Sequence, residues 1–108
     1  MNSRISKAEE SEPKSACWFV YIIETDQHKL YTGITTNPER RFQEHLDTAN
    51  GIAKAKGAKY FRTARPHKII YREEFNSRSA ATKRETEIKA LGRTAKLGLI
   101  ATNKKSTS

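Results

Sequence analysis

The chain has 108 residues, of which 35% are hydrophobic, and its formal net charge is +9. A chain of this length forms one domain with a single small core. No run approaches the roughly 18 consecutive apolar residues of a membrane-spanning helix, and the N-terminus lacks the apolar centre of a signal peptide. The single cysteine, Cys17, excludes an internal disulfide. We therefore expect a soluble, monomeric protein of the cytoplasm.

The positive charge is concentrated in the part of the chain that is expected to fold. Residues 1–16 are rich in Ser, Glu and Lys and show no apolar period, so they are predicted to form a flexible arm. Their basic and acidic residues balance, and the whole excess of basic residues therefore follows residue 16. A basic domain attracts polyanions, above all nucleic acid.

Two aromatic and β-branched runs, residues 18–23 and 30–35, predict an antiparallel hairpin. Side chains alternate between the two faces of a strand. If paired residues have numbers with an even sum, Tyr21 lies opposite the step from Tyr31 to Gly33 and on the same face. The first strand is apolar on both faces, which indicates a central strand or one covered by helices.

The first helix is predicted to begin at Asn37-Pro38 and to run to about Gly51, because Asn caps helices and Pro fits their first position. Arg41 and His45 are spaced i, i+4 along the edge of its inward stripe. The stripe itself consists of Phe42, Leu46 and Ala49.

Residues 51–72 contain seven basic residues and no acid, and they predict an irregular surface loop that leads into a third strand at residues 68–75. This basic segment is the strongest candidate for phosphate contact in the chain. Its candidate nucleic-acid-binding residues are Lys54, Lys56, Lys59, Arg62 and Arg65.

A second helix is predicted from Ser77 or Ser79 to about Leu91, with Gly92 ending it in the left-handed conformation. Its inward stripe contains a carboxylate, because it is formed by Ala81, Glu85 and Ile88. An unpaired buried charge is costly, so this carboxylate should have a cation or a chemical task. Arg41 and Lys89 are the candidate partners if its role is only structural.

A last short helix is predicted over residues 94–100, with Leu97 and Ile100 packed on the core, and residues 102–108 are predicted to form a loose basic tail. The folded domain is therefore expected to span residues 17–101. The fold class is α+β, with one small sheet and helices packed against it.

The polar residues expected near the hairpin suit metal-assisted hydrolysis of a phosphodiester. A hard divalent ion needs oxygen ligands and often takes one carboxylate, with water and phosphate completing its shell. A phenol or an imidazole can help to deprotonate the attacking water, and an arginine can hold the phosphoryl oxygens. The residues in question are Tyr21, Tyr31, Arg41, His45 and Glu85.

The order and spacing of these residues resemble the GIY-YIG nuclease superfamily, and within it the compact bacterial single-domain members. The similarity extends over about residues 17–101. It is carried by the strings Val20-Tyr21, Leu30-Tyr31-Thr32-Gly33-Ile34-Thr35, Glu39-Arg40-Arg41, Gly57-Ala58-Lys59-Tyr60 and Arg84-Glu85.

The resemblance implies a three-stranded antiparallel sheet flanked by helices in the order β-β-α-β-α-α, and a one-metal mechanism on DNA with Mg²⁺ or Mn²⁺. Tyr21 and Tyr31 match the two motif tyrosines, either of which serves as general base or positions the water. Gly33 permits close packing beside them, and Arg41 matches the phosphate-binding arginine. His45 matches the helix position at which members carry a histidine or a tyrosine. Glu85 matches the metal-binding glutamate, and Glu87 is the alternative alignment.

One departure from the superfamily concerns Ile34, which stands where incision members often carry a lysine. The tyrosines therefore have one cation fewer to lower their pKa. We expect a divalent-metal-dependent endonuclease with weak sequence specificity and a preference for a DNA shape. The alternative is a nucleic-acid-binding module on the same framework with little turnover, and the sequence leaves DNA or RNA open as the partner.

Overall fold

The structure is a computed structural model that describes residues 17–107, with side chains described for residues 17–102. The predicted N-terminal arm lies outside the described residues. The α+β fold has the predicted order β-β-α-β-α-α, with one additional 3₁₀ turn before the third strand. Its elements are β1 (Trp18–Thr25), β2 (Leu30–Thr35), α1 (Pro38–Ala49), the 3₁₀ turn (Lys59–Arg62), β3 (Pro66–Phe75), α2 (Arg78–Lys89) and α3 (Arg93–Thr107).

The three strands form one antiparallel sheet in the order β2-β1-β3. The central position of β1 agrees with its apolar sequence, because residues 20–23 are all at most 1% exposed. In β3, Pro66 pairs with Thr25, so the strand begins two residues before its predicted start. Proline is tolerated there because the first residue of a strand need not donate to the ladder.

The two faces of the sheet support separate cores. On one face, Val20 and Ile22 pack with residues from β3, α2 and α3, namely Tyr71, Ala81, Ile88 and Ile100. On the other face, Tyr21 and Ile23 pack with Phe61 of the 3₁₀ turn. Helix α2 contacts β1 and β2, and α1 contacts the 3₁₀ turn, β2 and β3. The candidate site residues of β1 and β2 lie on the second face.

The helix starts agree with the sequence prediction. The Asn37 side chain accepts from the Arg40 amide at 3.1 Å, and the Ser77 hydroxyl accepts from the Ala80 amide at 3.1 Å. The predicted end of α2 is wrong. The helix stops at Lys89 with Ala90 as a right-handed cap, and among the described glycines only Gly51 has positive φ. Backbone hydrogen bonds within the last turn close α2 without a left-handed glycine.

Helix α3 is longer than predicted, since it continues to Thr107 rather than ending near Ile100. The loose tail predicted from residue 102 is therefore corrected to helix, and residues 101–107 contain neither Gly nor Pro to stop one. Ile100 is buried as predicted, but Leu97 is 43% exposed and Leu99 packs on the core instead. None of the described helices is long and apolar enough to cross a membrane.

Candidate active site

The hairpin brings the two motif tyrosines to one face of the sheet. Tyr21 pairs with Gly33 and Ile23 pairs with Tyr31, which is the predicted register, and the two tyrosine ring centroids lie 6.3 Å apart. A Cβ atom at Gly33 would lie 2.5 Å from the Tyr21 hydroxyl oxygen. Glycine is needed at this position because the phenol of the neighbouring strand occupies the space of a side chain.

His45 is the most deeply buried side chain of α1, although the sequence placed it on the edge of the inward stripe. It is 0% exposed, whereas Phe42 and Leu46 are only partly buried. The difference arises because Phe61 covers this edge, with its ring centroid 4.4 Å from that of the imidazole. A loop separates Phe61 from His45 in the chain, so helical periodicity alone does not predict the contact.

Both ring nitrogens of His45 have hydrogen-bond partners. Nε2 lies 2.8 Å from the Tyr21 hydroxyl oxygen, and the backbone amide of Ala58 donates to Nδ1 at 3.1 Å. Burial lowers the pKa of His45 to about 4, and the positive charge of Arg41 contributes. The imidazole is therefore neutral at physiological pH.

Arg41 lies one helical turn before His45 and reaches the same site. Its Nη1 donates to the Glu44 carboxylate at 2.8 Å and to the Lys56 carbonyl at 2.7 Å. Its guanidinium is close enough to the Tyr21 oxygen to lower the pKa of that phenol. The helix edge predicted from the i, i+4 spacing thus delivers both Arg41 and His45 to Tyr21.

Burial nevertheless decides the protonation state of the two phenols. It raises the pKa of Tyr21 far above the usual range, and the nearby Tyr31 adds to that rise. Burial also raises the pKa of Tyr31, while Lys89 and Arg41 oppose the change. Both phenols are therefore neutral at pH 7 in the protein alone.

Glu85 of α2 completes the set of predicted residues. Its side chain is 19% exposed, and it pairs with the Lys89 ammonium group at 3.2 Å rather than with Arg41. Its negative charge raises the pKa of both Tyr21 and Tyr31, so the carboxylate lies within electrostatic range of the two phenols. Glu87, the alternative in the sequence alignment, is more exposed and pairs with Arg84.

Lys89 is a residue of the site whose contribution the sequence did not reveal. The sequence predicts Lys89 only as a candidate ion-pair partner of Glu85, but its charge also lowers the pKa of Tyr31. A cation is therefore supplied from the end of α2, although Ile34, the residue after Gly33, carries no charge. The i, i+4 spacing from Glu85 was the available signal.

An aromatic wall borders the tyrosines. Tyr60 stacks on Tyr31 with ring centroids 5.3 Å apart, and Phe61 meets the Tyr31 ring edge-on at 4.8 Å. Phe61 is fully buried while Tyr60 is 38% exposed. The sequence predicts an irregular loop for both residues, and the adjacent aromatic pair within a basic stretch was the available signal for this wall.

The predicted nucleic-acid-binding residues lie on the surface, and two of them flank this wall. The five side chains are all exposed, and Arg65 is engaged by the Asn50 side chain at 2.7 Å. Lys59 and Arg62 flank the two aromatic residues in the 3₁₀ turn. These two basic residues therefore adjoin the tyrosine site through Tyr60 and Phe61. The full predicted set is Lys54, Lys56, Lys59, Arg62 and Arg65.

A family model described as the GIY-YIG catalytic domain matches residues 17–97. The chain belongs to the GIY-YIG family. This assignment confirms the resemblance found in the sequence. The GIY-YIG domain suggests a nuclease family in general, and nucleases act on nucleic acid.

The relatives of this GIY-YIG domain match it over most of their length. A UPF0213 protein of Desulfotalea psychrophila is 44% identical over 97 residues, covering 90% of this chain and 83% of that protein. The UPF0213 protein YhbQ of Escherichia coli is 38% identical over 84 residues, covering 78% and 77%. The solution NMR structure of the UPF0213 protein BH0048 from Bacillus halodurans matches with a TM-score of 0.47 and 29% identity, covering 80% and 84%.

Proposed function

We propose that this GIY-YIG domain is a divalent-metal-dependent endonuclease that hydrolyses DNA phosphodiester bonds with low sequence specificity. The observation that supports it best is the convergence of two phenols, a guanidinium group and a carboxylate from four separate elements, β1, β2, α1 and α2. Each of Arg41 and Glu85 shifts the pKa of both tyrosines, so the charges act on the same small region. Perturbed titratable groups concentrated in this way are typical of catalytic sites.

The donor set suits one hard cation. Among the described residues, no group of three or more His, Cys, Asp and Glu is arranged to hold a metal. Glu85 is a partly accessible carboxylate, and Mg²⁺ or Mn²⁺ can be held by one carboxylate, with water and a substrate phosphate as further ligands. A cation bound there would neutralise charge on the phosphate and lower the pKa of a bound water.

Arg41 and the tyrosines have distinct tasks in this proposal. The Arg41 side chain is preset by Glu44 and the Lys56 carbonyl, and it is suited to hold a phosphoryl oxygen whose charge increases in the transition state. Tyr21 or Tyr31 positions the attacking water or accepts its proton. Since both phenols are neutral in the protein alone, acceptance requires that nearby positive charge first lowers the pKa of one of them.

Loss of the carboxylate tests this function directly. Purified protein should nick supercoiled plasmid with Mg²⁺ or Mn²⁺ and not with EDTA. Glu85→Ala should reduce nicking to background while DNA binding persists, because the carboxylate anchors the cation and not the DNA. Glu87→Ala is the matched control and should keep full activity, since its side chain pairs with Arg84. Equal nicking by Glu85→Ala and the unaltered protein would refute the metal role.

A second candidate function is binding of nucleic acid with little turnover. The raised pKa values of Tyr21 and Tyr31 favour it, because a neutral phenol is a poor base. In either function the exposed basic residues around Tyr60 would contact phosphate, with DNA as the proposed partner and RNA as the alternative. We propose action as a monomer in the cytoplasm.

The salt dependence of DNA binding tests the basic surface. Lys59→Ala combined with Arg62→Ala should weaken binding and reduce the slope of log K against log salt by about 2, because each lost phosphate contact changes the slope by about 0.9. Lys83→Ala combined with Arg93→Ala removes the same charge from α2 and α3 and serves as the control. An unchanged slope in the first pair would remove the 3₁₀ turn from the DNA interface.

A further inference from the structure

Residues 56–58 attach closely to α1 at the two residues that contact Tyr21. The Lys56 carbonyl accepts from Arg41 Nη1 at 2.7 Å, and the Ala58 amide donates to His45 Nδ1 at 3.1 Å. Two backbone atoms two residues apart thus bind two side chains one helical turn apart. We call residues 56–58 the α1-binding segment.

Gly57 allows the α1-binding segment to lie against the helix. A Cβ atom at Gly57 would be 2.5 Å from the Glu44 carbonyl oxygen and 2.6 Å from the His45 Cα atom. Both are backbone atoms, which cannot rotate away as a side chain would. Any larger residue at position 57 must therefore move the segment off α1 and lengthen the contact between Ala58 and His45.

The contact from Ala58 determines where the imidazole carries its proton. A backbone N–H group can only donate, so His45 Nδ1 must accept and cannot carry a hydrogen. A neutral imidazole then carries its single proton on Nε2. That nitrogen lies 2.8 Å from the Tyr21 oxygen and therefore donates to it.

We propose that the α1-binding segment holds His45 in the Nε2–H tautomer, so that His45 is a fixed hydrogen-bond donor to the Tyr21 oxygen and not its base. This inference rests on the proposed nuclease function for its catalytic meaning. With Nδ1 bonded to Ala58 and Nε2 already protonated, His45 has no site left to receive the phenol proton. The hydroxyl hydrogen of Tyr21 must point elsewhere, and a Tyr21 phenolate would keep the His45 donor.

The tautomer can be observed directly in the folded protein without any substrate. Long-range ¹H–¹⁵N spectra of the full chain at pH 7 should show His45 with a protonated Nε2 and an unprotonated Nδ1. His67 is exposed and provides an internal reference, and His45→Gln identifies the signal by its disappearance. A protonated Nδ1, or rapid exchange between tautomers, would overturn the proposal even if the nuclease activity is real.

The role of the segment is tested with paired glycine substitutions. Gly57→Ala should change the His45 ring spectrum toward a mixture of tautomers and lower the nicking rate about tenfold or more. Gly92→Ala is the matched control, because a Cβ atom there meets nothing within 4 Å, and it should change neither quantity. A folded Gly57→Ala protein with an unaltered His45 spectrum would contradict the proposal. If Gly57→Ala does not fold, the spectrum of the unaltered protein still decides.

Two nearly isosteric substitutions of His45 distinguish a hydrogen-bond donor from a general base. Gln at position 45 can donate to the Tyr21 oxygen, whereas an ionised Glu can only accept. We expect His45→Gln to nick at least about tenfold faster than His45→Glu at pH 7.5, with the fold of each confirmed by circular dichroism. The reverse order would support a base and refute the donor role. If even the unaltered protein never nicks DNA, the proposed function fails, while the ring spectrum still tests the tautomer.

Discussion

The two faces of β1 are equally buried but differently built. On one face, Val20 and Ile22 lie among hydrocarbon groups from β3, α2 and α3. On the other face, Tyr21 is hydrogen bonded to His45, which is in turn bonded to the backbone of Ala58. Hydrophobic contacts tolerate small shifts, whereas a hydrogen bond weakens steeply with distance and angle. The first face should therefore determine stability, and the second should determine chemistry.

The largest effect should follow loss of the Tyr21 hydroxyl. Tyr21→Phe keeps the buried ring, so the protein should stay folded, with a cost of about 1–3 kcal/mol for the His45 donor that loses its partner. Nicking should fall by about 10²–10⁴-fold, the usual contribution of a positioned acid or base. Plasmid nicking and thermal unfolding measure the two effects. Tyr71→Phe is the control, because its hydroxyl donates to Glu73 outside the site.

Ile22→Ala changes the neighbouring residue of the same strand, whose side chain lies on the other face of the sheet. It should lower the free energy of unfolding by about 2–5 kcal/mol, because a fully buried side chain is truncated. The nicking rate per folded molecule should stay nearly unchanged at low temperature. If Ile22→Ala lost as much activity per folded molecule as Tyr21→Phe, the two faces would not be separable.

The next effect is a pH dependence of stability, which arises from His45 on the face of β1 that carries Tyr21. The pKa of His45 is about 4 in the folded protein and near 6.5 in the unfolded chain, so the unfolded chain binds more protons between these values. Stability should therefore be full above pH 6.5 and fall by about 3 kcal/mol as the pH drops to 4. Urea unfolding followed by Trp18 fluorescence measures this. His45→Gln should show a flatter profile, and an equally steep one would assign the loss to other groups.

The smallest effect on stability is expected on the face of the sheet that carries Val20 and Ile22. Thr32 pairs with Ile22 and is 3% exposed, and its hydroxyl is the one buried side-chain polar atom of the described residues that has no hydrogen-bond partner. Thr32→Val keeps the shape and removes the unsatisfied group, so it should stabilise the protein by about 1 kcal/mol without changing nicking. Thr35→Val is the comparison, because its hydroxyl accepts from the Asn37 amide and its loss should destabilise. A destabilised Thr32→Val protein would indicate a partner for that hydroxyl.

Local sequence signals were sufficient to predict the features that depend on residues close together in the chain. The hairpin, the caps at Asn37 and Ser77, and the shared face of Tyr21 and Tyr31 depend on turn chemistry and on the two-residue period of strands. The predicted end of α2 was wrong because backbone hydrogen bonds close the helix at a right-handed Ala90 before it reaches Gly92. The predicted length of α3 was wrong because residues 101–107 contain neither Gly nor Pro to stop the helix. The N-terminal arm, the monomeric state and the roles of the site residues stay predictions.

What the sequence by itself determined is the inventory: two aromatic strands, a helix with Arg41 and His45 one turn apart, and a carboxylate on a later helix. Only the tertiary structure decided how these groups are used. His45 is buried because Phe61 covers it, and its proton is located by an amide thirteen residues further along the chain. Such contacts depend on how a loop packs against a helix, and residue spacing carries no information about that packing.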